Sequence, residues 1–413
     1  MSKYKVYTPD GVQDILFDEC LAKREIETKA RNLFKGRGYR EIETPTIEFY
    51  DIYSVRQKAL SQETMFKFCD KEGKILVLRP DLTVPAVRVA TSKLKDLPRP
   101  LPLCYIGNSF RFNGEGGGRQ KEYTQAGIEI IGAEGPKADA EIIATAIELV
   151  LEAGLTSFQI DIGQVEFFKG LMAQAGFSKE ETEEIRILID NKDYAGMERI
   201  MADRNIQEGL KETILNVPKM FGSKEIIEEL YTLNLNDTSK EALDNLTEIL
   251  NILDDYGYSE YVSIDLGMLP GLDYYTGIIF RGFTYGIGFP ILSGGRYDKL
   301  AETFGKKEAA TGFSLGINLL ITAMRRQNIV KECQGFDFFI AFDDSERKAA
   351  LEKAAELRKS GNIVLTDVAG LTVDEAMEYA VKNNYSNLIY ISEGQKVNSF
   401  DLTDILDGKE NEI

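Results

Sequence analysis

The chain has 413 residues, of which 43% are hydrophobic and 28% are charged, as expected for a folded protein with two or three structural units. Its net charge of −18 argues against a large nucleic-acid surface, because phosphate binding normally requires a concentrated basic face. The sequence contains no histidine, which excludes a Ser-His pair, a His-ligated metal and the usual general base at neutral pH.

The cysteines and the hydropathy pattern exclude several further classes of protein. Cys20, Cys69, Cys104 and Cys333 are scattered, so they indicate neither a disulfide framework nor a zinc site. We find no N-terminal signal pattern and no apolar run long enough to span a bilayer. We therefore expect a cytoplasmic protein without a membrane segment, a metal or a cofactor.

The first 163 residues predict a mixture of helices and strands. Residues 18–37 place apolar side chains at helical spacing, and Ala138–Glu152 predicts a second helix. Strand-like segments, separated by turns rich in Gly, Asp and Pro, fall at Arg40–Glu43, Ile75–Leu78, Leu103–Phe112, Glu122–Gly132 and Ser157–Ile162. This mixture predicts an antiparallel sheet flanked by helices.

Residues 164–258 are almost purely helical in pattern and strongly acidic. Ser178 and Glu181 form a capping-box pattern at the start of one of these helices, and we interpret the whole segment as an inserted helical module. The sheet pattern then returns, with strands predicted at Tyr261–Asp265, Gly277–Phe283 and Phe289–Leu292 and a helix at Ile317–Arg326.

Residues 335–413 predict a separate small α/β domain with parallel pairing. Its expected elements are the strands Phe336–Phe342, Ile363–Thr366 and Leu388–Ile391, the helix Ser345–Lys359 and a helix capped at Thr372. The tail after Leu402 is polar and is expected to fray. The predicted domains are thus 1–163 with 259–328, then 164–258, then 335–413.

Four sequence blocks combine polar residues with Gly and Pro, namely Gly38–Pro45, Leu78–Thr83, Phe110–Arg111 with Glu122–Glu129, and Gly271–Tyr275 with Ser293–Asp298. Their composition and order resemble those of the class II aminoacyl-tRNA synthetases. The stretch Gly271-Leu-Asp-Tyr-Tyr275 resembles the histidine-recognition motif of histidyl-tRNA synthetases, which reads Arg-Gly-Leu-Asp-Tyr-Tyr. One block alone would be a weak signal, whereas four in order make a chance match implausible.

The polar residues of these blocks suit the chemistry of free histidine, which carries an ammonium, a carboxylate and an imidazole. The candidate ligands are Asp81, Thr83, Arg111, Gln125, Glu129, Tyr274 and Tyr275. Asp81 and Thr83 are expected to hold the ammonium through charge-assisted hydrogen bonds. Glu129 is expected to accept from one imidazole N–H, while Tyr275 offers a phenol to the other side of the ring.

The remaining candidates have less specific roles. Gln125 is expected to bridge the ammonium and the carboxylate, and Arg111 is our hypothesis for the cation that holds the carboxylate. Tyr274 is more simply explained by packing in a strand. An alternative left open is that the carboxylates are structural and pair with Arg79, Arg88 or Arg119.

The residues that would activate histidine with ATP depart from the synthetase pattern. Pro270 stands where the recognition motif has Arg, and Asn113 stands where the second class motif has Glu. The third class motif, expected on a helix, reads Gly312-Phe-Ser-Leu-Gly-Ile-Asn-Leu319, with Asn and Leu in place of Glu and the phosphate-binding Arg. Each lost preorganised charge costs on the order of 3 kcal/mol in the transition state. The glycine-rich run Gly114–Arg119 lacks the P-loop Lys and is expected to be a flexible hairpin loop.

Over residues 5–325 by motif, and over 335–413 by pattern alone, the chain resembles the regulatory subunits of ATP phosphoribosyltransferase, catalytically inactive paralogues of histidyl-tRNA synthetase. The resemblance implies an α+β, class II synthetase-like core and a C-terminal domain similar to an anticodon-binding domain. It implies a non-catalytic protein that binds L-histidine as effector. This protein would activate a short-form catalytic subunit, conferring feedback inhibition on the first step of histidine biosynthesis.

The same resemblance implies a homodimer, paired through the segment around Pro45, within a hetero-oligomer that binds no tRNA. Two other functions stay open: an active histidine–tRNA ligase with an unusual cation arrangement, and a free-standing histidine-sensing module. The absence of histidine residues either eases synthesis of the protein when histidine is scarce or reflects drift in composition. One sequence does not separate these two explanations.

Overall fold

The computed structural model describes residues 6–54, 62–112, 120–202, 204, 206–269, 274–330, 335–394 and 396–404. The chain divides into two compact units, Met1–Lys331 and Glu332–Ile413. The three-domain boundaries expected from the sequence stay predictions. None of the described helices is long and apolar enough to cross a membrane.

The first unit contains helices α1 to α11 and strands β1 to β12. The helices are α1 (Phe17–Gly36), α2 (Asp51–Ser54), α3 (Thr83–Ser92), α4 (Pro136–Ala153), α5 (Val165–Gln174), α6 (Lys179–Asp190), α7 (Tyr194–Ala202), α8 (Glu208–Asn216), α9 (Glu225–Tyr231), α10 (Asp237–Asp255) and α11 (Ile317–Arg326). The strands are β1 (Arg40–Glu41), β2 (Ile47–Phe49), β3 (Lys67–Cys69), β4 (Ile75–Leu78), β5 (Leu101–Phe110), β6 (Glu122–Ile131), β7 (Phe158–Gln164), β8 (Phe221–Gly222), β9 (Val262–Asp265), β10 (Ile278–Thr284), β11 (Leu292–Arg296) and β12 (Ala310–Gly316). Most predicted elements are present, with small shifts at their ends.

Among the described residues, nine strands form one sheet in the order β1-β5-β6-β12-β11-β10-β7-β9-β8. The pairs β1–β5 and β7–β9 are parallel, and the other neighbours are antiparallel. The predicted sheet flanked by helices is therefore confirmed as a mixed sheet, antiparallel through its centre.

The prediction was wrong in two of the central strands. The strand expected at Phe289–Leu292 lies later, as β11, and β12 was not predicted as a strand at all. The third class motif, expected wholly on a helix, begins in β12 and enters α11 only at Ile317. Both strands contain glycines, which have low β-propensity, so the pattern alone did not indicate them.

Helices cover one face of the sheet. Helix α4 is buried on most sides, and Ile142, Ile147 and Val150 are fully inaccessible to solvent, as expected for a helix between two layers. It begins with Pro136 in its first turn and ends at Gly154, whose φ of 102° suits glycine. Helix α10 packs against α4 and α5, while α3 packs on the opposite face, on which the candidate site also lies.

The segment between β7 and β9 is helical, as predicted, apart from one short strand. Helices α5 to α10 follow one another here, and the capping box of Ser178 and Glu181 is present at α6. Strand β8 pairs with β9, with Phe221 opposite Asp265, and this short strand was not predicted within the almost purely helical segment. Two residues are too few to produce a strand pattern in a sequence.

A second, three-stranded sheet in the order β2-β4-β3 stands beside α3. Only β4 was predicted, since β2 and β3 are three residues each. One face is closed by the buried carboxylate of Glu48, which accepts from Arg88 of α3 at 2.6 Å. The other face exposes Ile47, Phe49 and Phe68.

The second unit is a small α/β layer structure. Its elements are β13 (Phe336–Phe342), α12 (Arg347–Lys359), β14 (Val364–Thr366), α13 (Val373–Lys382), β15 (Tyr385–Ser392) and β16 (Lys396–Asp401), with strand order β14-β13-β15-β16. The parallel pairing was predicted for the first three strands and is confirmed, as is the capping box of Thr372 and Glu375. Strand β16 is antiparallel to β15 and was not predicted, because it is almost wholly exposed and lacks an alternating pattern. Residues 405–413 of the predicted fraying tail lie outside the described residues.

Candidate functional site

A cavity of about 90 Å³ opens on the sheet face against which α3 packs. Five of the seven candidate residues line it, namely Asp81, Thr83, Arg111, Gln125 and Tyr275. Ser293, Ser314 and Tyr297, which were not predicted as ligands, line it as well. Residues from the second, third and fourth sequence blocks therefore meet in one place.

Strand geometry explains this meeting. Gln125 and Glu129 are four residues apart on β6, so they lie on the same face of the sheet. On β12 their partners are Gly316 and Gly312, respectively. Asp81 reaches the same face from the start of α3, where its Oδ1 accepts a hydrogen bond from Val84 N–H at 3.1 Å.

Glu129 is fully buried beneath the cavity. Its carboxyl accepts hydrogen bonds from the hydroxyl of Tyr105, at 2.8 Å, and from that of Tyr297. Burial raises the pKa of Glu129 to about 8, although the two phenols oppose this shift. Both carboxyl oxygens already have protein partners, and each keeps a further acceptor position for a ligand.

The glycines of β11 and β12 make room for these side chains. A Cβ on Gly312 would lie 1.6 Å from Oε2 of Glu129, and one on Gly295 would lie 2.8 Å from the ring of Tyr275. Gly295 also has a φ of 156°, a backbone conformation that side chains disfavour. The site therefore requires glycine at these positions, and glycine is also what makes the strand pattern of this segment weak.

Asp81 and Arg111 bring opposite charges to the same end of the cavity. Burial raises the pKa of Asp81 to about 6, against the opposing charge of Arg111 and the hydrogen bond from Val84. Arg111 donates from Nε to the carbonyl of Pro80 at 2.8 Å, and its guanidinium lies 5.9 Å from the ring centre of Tyr123. The second oxygen of Asp81, which does not cap the helix, is available to a cationic ligand.

The amide of Gln125 is held in a fixed orientation. Ser109 donates its hydroxyl to Oε1 at 2.6 Å, and Nε2 donates to the hydroxyl oxygen of Ser314 at 3.1 Å. Thr83 and the hydroxyl of Tyr105 are 3.3 Å apart, which connects Thr83 to the Glu129 carboxyl. Polar side chains around the cavity thus form two hydrogen-bonded groups, one around Gln125 and one around Glu129.

The two tyrosines of the fourth block occupy different places. Tyr275 lines the cavity, and burial raises its pKa to about 12, with Arg281 as the strongest opposing charge. Tyr274 is not among the lining residues. Its ring stacks on Tyr297 at 5.7 Å and meets Tyr275 edge-on at 4.8 Å.

Two arginines that were alternative partners for the carboxylates are engaged elsewhere. Arg79 donates to the backbone carbonyls of Asn108 and Thr44, and Arg88 is bonded to Glu48. Arg119 lies outside the described residues. The alternative that Asp81 and Glu129 pair with Arg79 or Arg88 is therefore wrong.

Arg296, in the Gly-Gly-Arg-Tyr-Asp block, has a structural role. Its guanidinium is buried and forms ion pairs with Asp139 at 2.9 Å and Asp298 at 3.2 Å. It also donates to the carbonyl of Ala133 at 3.0 Å. These contacts fix the end of β11, from which Tyr297 reaches Glu129.

The two positions where the third class motif has Glu and Arg are neutral in this chain. Asn318 accepts a hydrogen bond from Thr124 N–H at 2.8 Å, and Leu319 is partly exposed to solvent. Pro270, Asn113 and the predicted loop Gly114–Arg119 lie outside the described residues. Within the described part of the chain, no cluster of Cys, Asp or Glu side chains is arranged to hold a metal ion.

The chain is similar to proteins of known family over nearly its whole length. Residues 11–320 match the family model for histidyl-tRNA synthetase. An ATP phosphoribosyltransferase regulatory subunit from Acetivibrio thermocellus is 52% identical over 397 residues, which cover 96% of this chain and 95% of that protein. A protein of the same name from Ruminiclostridium cellulolyticum is 50% identical over 402 residues, covering 97% and 96%.

Solved structures show the same relationship. A crystal structure from Bacillus halodurans, described as an ATP phosphoribosyltransferase regulatory subunit/histidyl-tRNA synthetase, superposes with a TM-score of 0.85 at 33% identity, covering 94% of this chain and 99% of that one. Histidyl-tRNA synthetase from Nostoc sp. PCC 7120 has a TM-score of 0.80 at 20% identity over the full length of both chains, a likeness that concerns the fold alone. The chain belongs to the family of ATP phosphoribosyltransferase regulatory subunits, which share the class II fold of histidyl-tRNA synthetases.

Proposed function

We propose that this protein binds a short-form catalytic subunit of ATP phosphoribosyltransferase, activates it and makes it sensitive to L-histidine. The observation that carries the proposal is the cavity lined by Asp81, Gln125 and Tyr275, next to the buried Glu129. It occurs in a chain that is at least half identical to relatives named as regulatory subunits of this enzyme.

The charges of the cavity favour an amino acid with a cationic group. Asp81 has a raised pKa because burial removes it from water without a hydrogen-bonded cation. A ligand ammonium at the free oxygen of Asp81 would form a charge-assisted hydrogen bond and offset that cost. Arg111, at the same end, is the candidate partner for the α-carboxylate.

The other end of the cavity suits an imidazole. Glu129 and Tyr275 present an acceptor and a phenol, and the Glu129 carboxyl is oriented by two tyrosine hydroxyls. A ring nitrogen that donates to Glu129 would find a preorganised partner whose reorganisation costs little. This arrangement discriminates histidine from amino acids of similar size that lack a ring N–H, because their binding would leave these polar groups unpaired.

We further propose that the protein does not activate histidine. Asn318 and Leu319 are neutral where the synthetase pattern has Glu and Arg, and the sequence has Pro270 in place of a third charged residue. Phosphoryl chemistry on ATP depends on preorganised charges of this kind. Histidine-dependent exchange of pyrophosphate into ATP is the direct assay, and robust exchange would identify the chain as an active ligase instead.

Feedback inhibition then follows from linkage between two binding events. Histidine inhibits only if it binds the inhibited state of the complex more tightly than the active state, and the ratio of these affinities sets the size of the effect. By reciprocity, a ligand that favours the active state of the complex must weaken histidine binding by the factor by which histidine weakens its own binding.

A homodimer is also proposed, formed through the three-stranded sheet. Ile47 and Phe49, which follow Pro45 in the segment that pairs subunits in class II synthetases, form an exposed apolar face together with Phe68 of β3. An exposed cluster of large apolar side chains is typical of an interaction surface. A two-fold contact would place the same cluster of each copy against the other.

The proposed function is tested by co-expressing the chain with a short ATP phosphoribosyltransferase catalytic subunit. We expect the two to co-purify and the transferase rate of the complex to exceed that of the catalytic subunit alone. We also expect added histidine to suppress the gain. A chain that binds histidine but neither binds nor activates the catalytic subunit would be a free-standing histidine-sensing module.

A further inference from the structure

Arg281 lies one strand beyond the residues that line the cavity. It lies on β10 opposite Ser293 of β11, and Ser293 lies opposite Ser314 of β12. Residues directly opposite in antiparallel strands point to the same face of a sheet, and both serines line the cavity. The side chain of Arg281 therefore emerges on the cavity side, next to Ser293.

The guanidinium of Arg281 is half-buried and has no hydrogen-bond or ion-pair partner among the residues that the structure describes. Its neighbour across the sheet is Asp161, but no ion pair joins the two, and Asp161 instead accepts from the hydroxyl of Ser263. Nearby Asp265 accepts from Gly267 N–H at 2.9 Å. None of the described residues therefore uses the N–H donors of the guanidinium.

Other partly or fully buried arginines of the first unit behave differently. Arg79 donates to backbone carbonyls, Arg99 pairs with Glu308 at 3.0 Å, and Arg296 pairs with Asp139. Each of these guanidinium groups is therefore bonded to other parts of the protein. Arg281 resembles a binding residue rather than a structural one, because a half-buried guanidinium normally has hydrogen-bond partners, and the described residues supply none for Arg281.

The charge of Arg281 acts on Tyr275, which lines the cavity. Among the charged groups that act on the Tyr275 phenol, Arg281 has the largest effect, ahead of Glu129 and Arg111. Arg111 stands beside Asp81, as its effect on that carboxyl shows. The cavity is therefore flanked by two cations, and only Arg111 is accounted for by the proposed function.

The serines supply further donors. The oxygen of Ser314 accepts from Gln125 at 3.1 Å, which leaves its O–H free to donate to a ligand. The side chain of Ser293 is exposed and stands between Ser314 and Arg281 in the pairing register. A row of two hydroxyls and a guanidinium matches the acceptors of a carboxylate or phosphate.

We propose that Arg281, Ser293 and Ser314 form an oxyanion-binding extension of the cavity. The oxyanion is either the α-carboxylate of the bound amino acid or a phosphate of a second small ligand bound beside it. The first source rests on the proposed binding of histidine, whereas the second does not. In both cases Arg281 sets the preference of the site for a negatively charged group.

The test uses calorimetry on the full chain with L-histidine, with L-histidinol, which lacks the carboxylate, and with inorganic pyrophosphate. Arg281→Gln removes the charge, Arg281→Lys retains it without the planar fork, and Arg199→Gln is the matched control because Arg199 is exposed on α7. Equal thermal unfolding midpoints of the variants and the wild type establish that the fold is intact.

We expect Arg281→Gln to weaken binding of an oxyanion ligand by about tenfold or more, the usual size of a lost charge-assisted hydrogen bond, and Arg281→Lys to weaken it less. Weaker binding of histidine with unchanged binding of histidinol identifies the α-carboxylate as the oxyanion. Weaker binding of pyrophosphate with unchanged binding of histidine identifies a phosphate of a second ligand as the oxyanion. Wild-type affinity of Arg281→Gln for all three ligands overturns the proposal. A wild-type chain that binds pyrophosphate but no histidine contradicts the proposed function only, and one that binds neither overturns both.

Discussion

The hydroxyl of Tyr105 on β5 donates a 2.8 Å hydrogen bond to Oε1 of Glu129 on the neighbouring strand β6. Tyr297 of the fourth sequence block donates to the other oxygen. The carboxyl that is expected to recognise imidazole is therefore positioned by two phenols from distant parts of the chain. Its burial without a cation makes both stability and binding depend on its protonation.

Replacing the carboxyl by an amide tests this protonation. The pKa of Glu129 rises from its ordinary 4.5 to about 8 on folding, so the folded protein holds the proton more tightly. The resulting stabilisation is fully present below pH 4.5, the pKa of Glu129 in the unfolded chain, and is lost as the pH rises through the folded-state pKa of about 8. We predict that the unfolding free energy of the wild type falls by up to about 1.4 kcal/mol per pH unit in this window, and that Glu129→Gln removes this slope.

The measurement is urea unfolding of the wild type and Glu129→Gln across that pH window. Glu41→Gln is the control, since Glu41 is exposed and paired with Arg31 at the surface. Identical pH slopes for the wild type and Glu129→Gln would show that Glu129 ionises normally in the fold.

Asp81 is predicted to hold the ammonium of the ligand. Asp81→Asn keeps a side chain that can cap α3 and removes the negative charge. We expect the histidine affinity to fall by about tenfold or more. Because Asp81 must be ionised and its pKa is about 6, the wild-type affinity should rise with pH through this value more steeply than that of Asp81→Asn. Calorimetry with imidazolepropionate, which lacks the ammonium, should give the same affinity for both proteins.

Arg111 is predicted to hold the α-carboxylate. Arg111→Ala should weaken the affinity for histidine by about tenfold or more, as expected for a lost charge-assisted hydrogen bond. The affinity for histidinol should change little. Arg325→Ala, on an exposed arginine of α11 that pairs with Glu19, serves as the control in the same calorimetric titration. Unchanged histidine affinity in Arg111→Ala would assign the carboxylate to another cation.

Gly312 is predicted to be irreplaceable because of Glu129. In Gly312→Ala the new methyl group would lie 1.6 Å from Oε2 of Glu129, so either the carboxyl or the β12 backbone must shift. Overpacking of this kind typically costs about 1–3 kcal/mol, and we expect loss of histidine binding as well. Gly209→Ala in α8 is the control, since nothing lies within 4 Å of its Cβ position and alanine favours a helix. Urea unfolding that shows equal stability for both variants would contradict the close approach.

The apolar face of the three-stranded sheet is predicted to be the dimer contact. Phe49 is 51% exposed, and burying such a side chain contributes about 2 kcal/mol, counted once for each copy. Phe49→Glu should therefore shift the mass measured by light scattering from dimer to monomer. Tyr285→Glu, at a residue that is 82% exposed, should leave the mass unchanged. A dimer that persists in Phe49→Glu would place the contact elsewhere.

The identity of the ligand-binding residues was readable in the sequence because they occur in short blocks. Asp81 with Thr83, and Gln125 with Glu129, are separated by two and four residues, and period-two alternation places the second pair on one sheet face whatever the rest of the fold does. Local patterns also predicted α1, α11 and the capping boxes, since those depend on neighbours within one or two turns.

Only the tertiary structure decided which residues stand beside those ligands. The pairing register of five strands brings Tyr105, Tyr297 and Gly312 to Glu129, and Arg281 to Ser293, although these residues are separated by long stretches of sequence. Glycine-containing β11 and β12 escaped the strand pattern because their small residues serve close packing against Glu129 and Tyr275 rather than β-propensity. The sequence by itself therefore determined the chemistry offered to a ligand. The fold decided how that chemistry is buried and positioned, because register and burial arise from contacts that no local pattern contains.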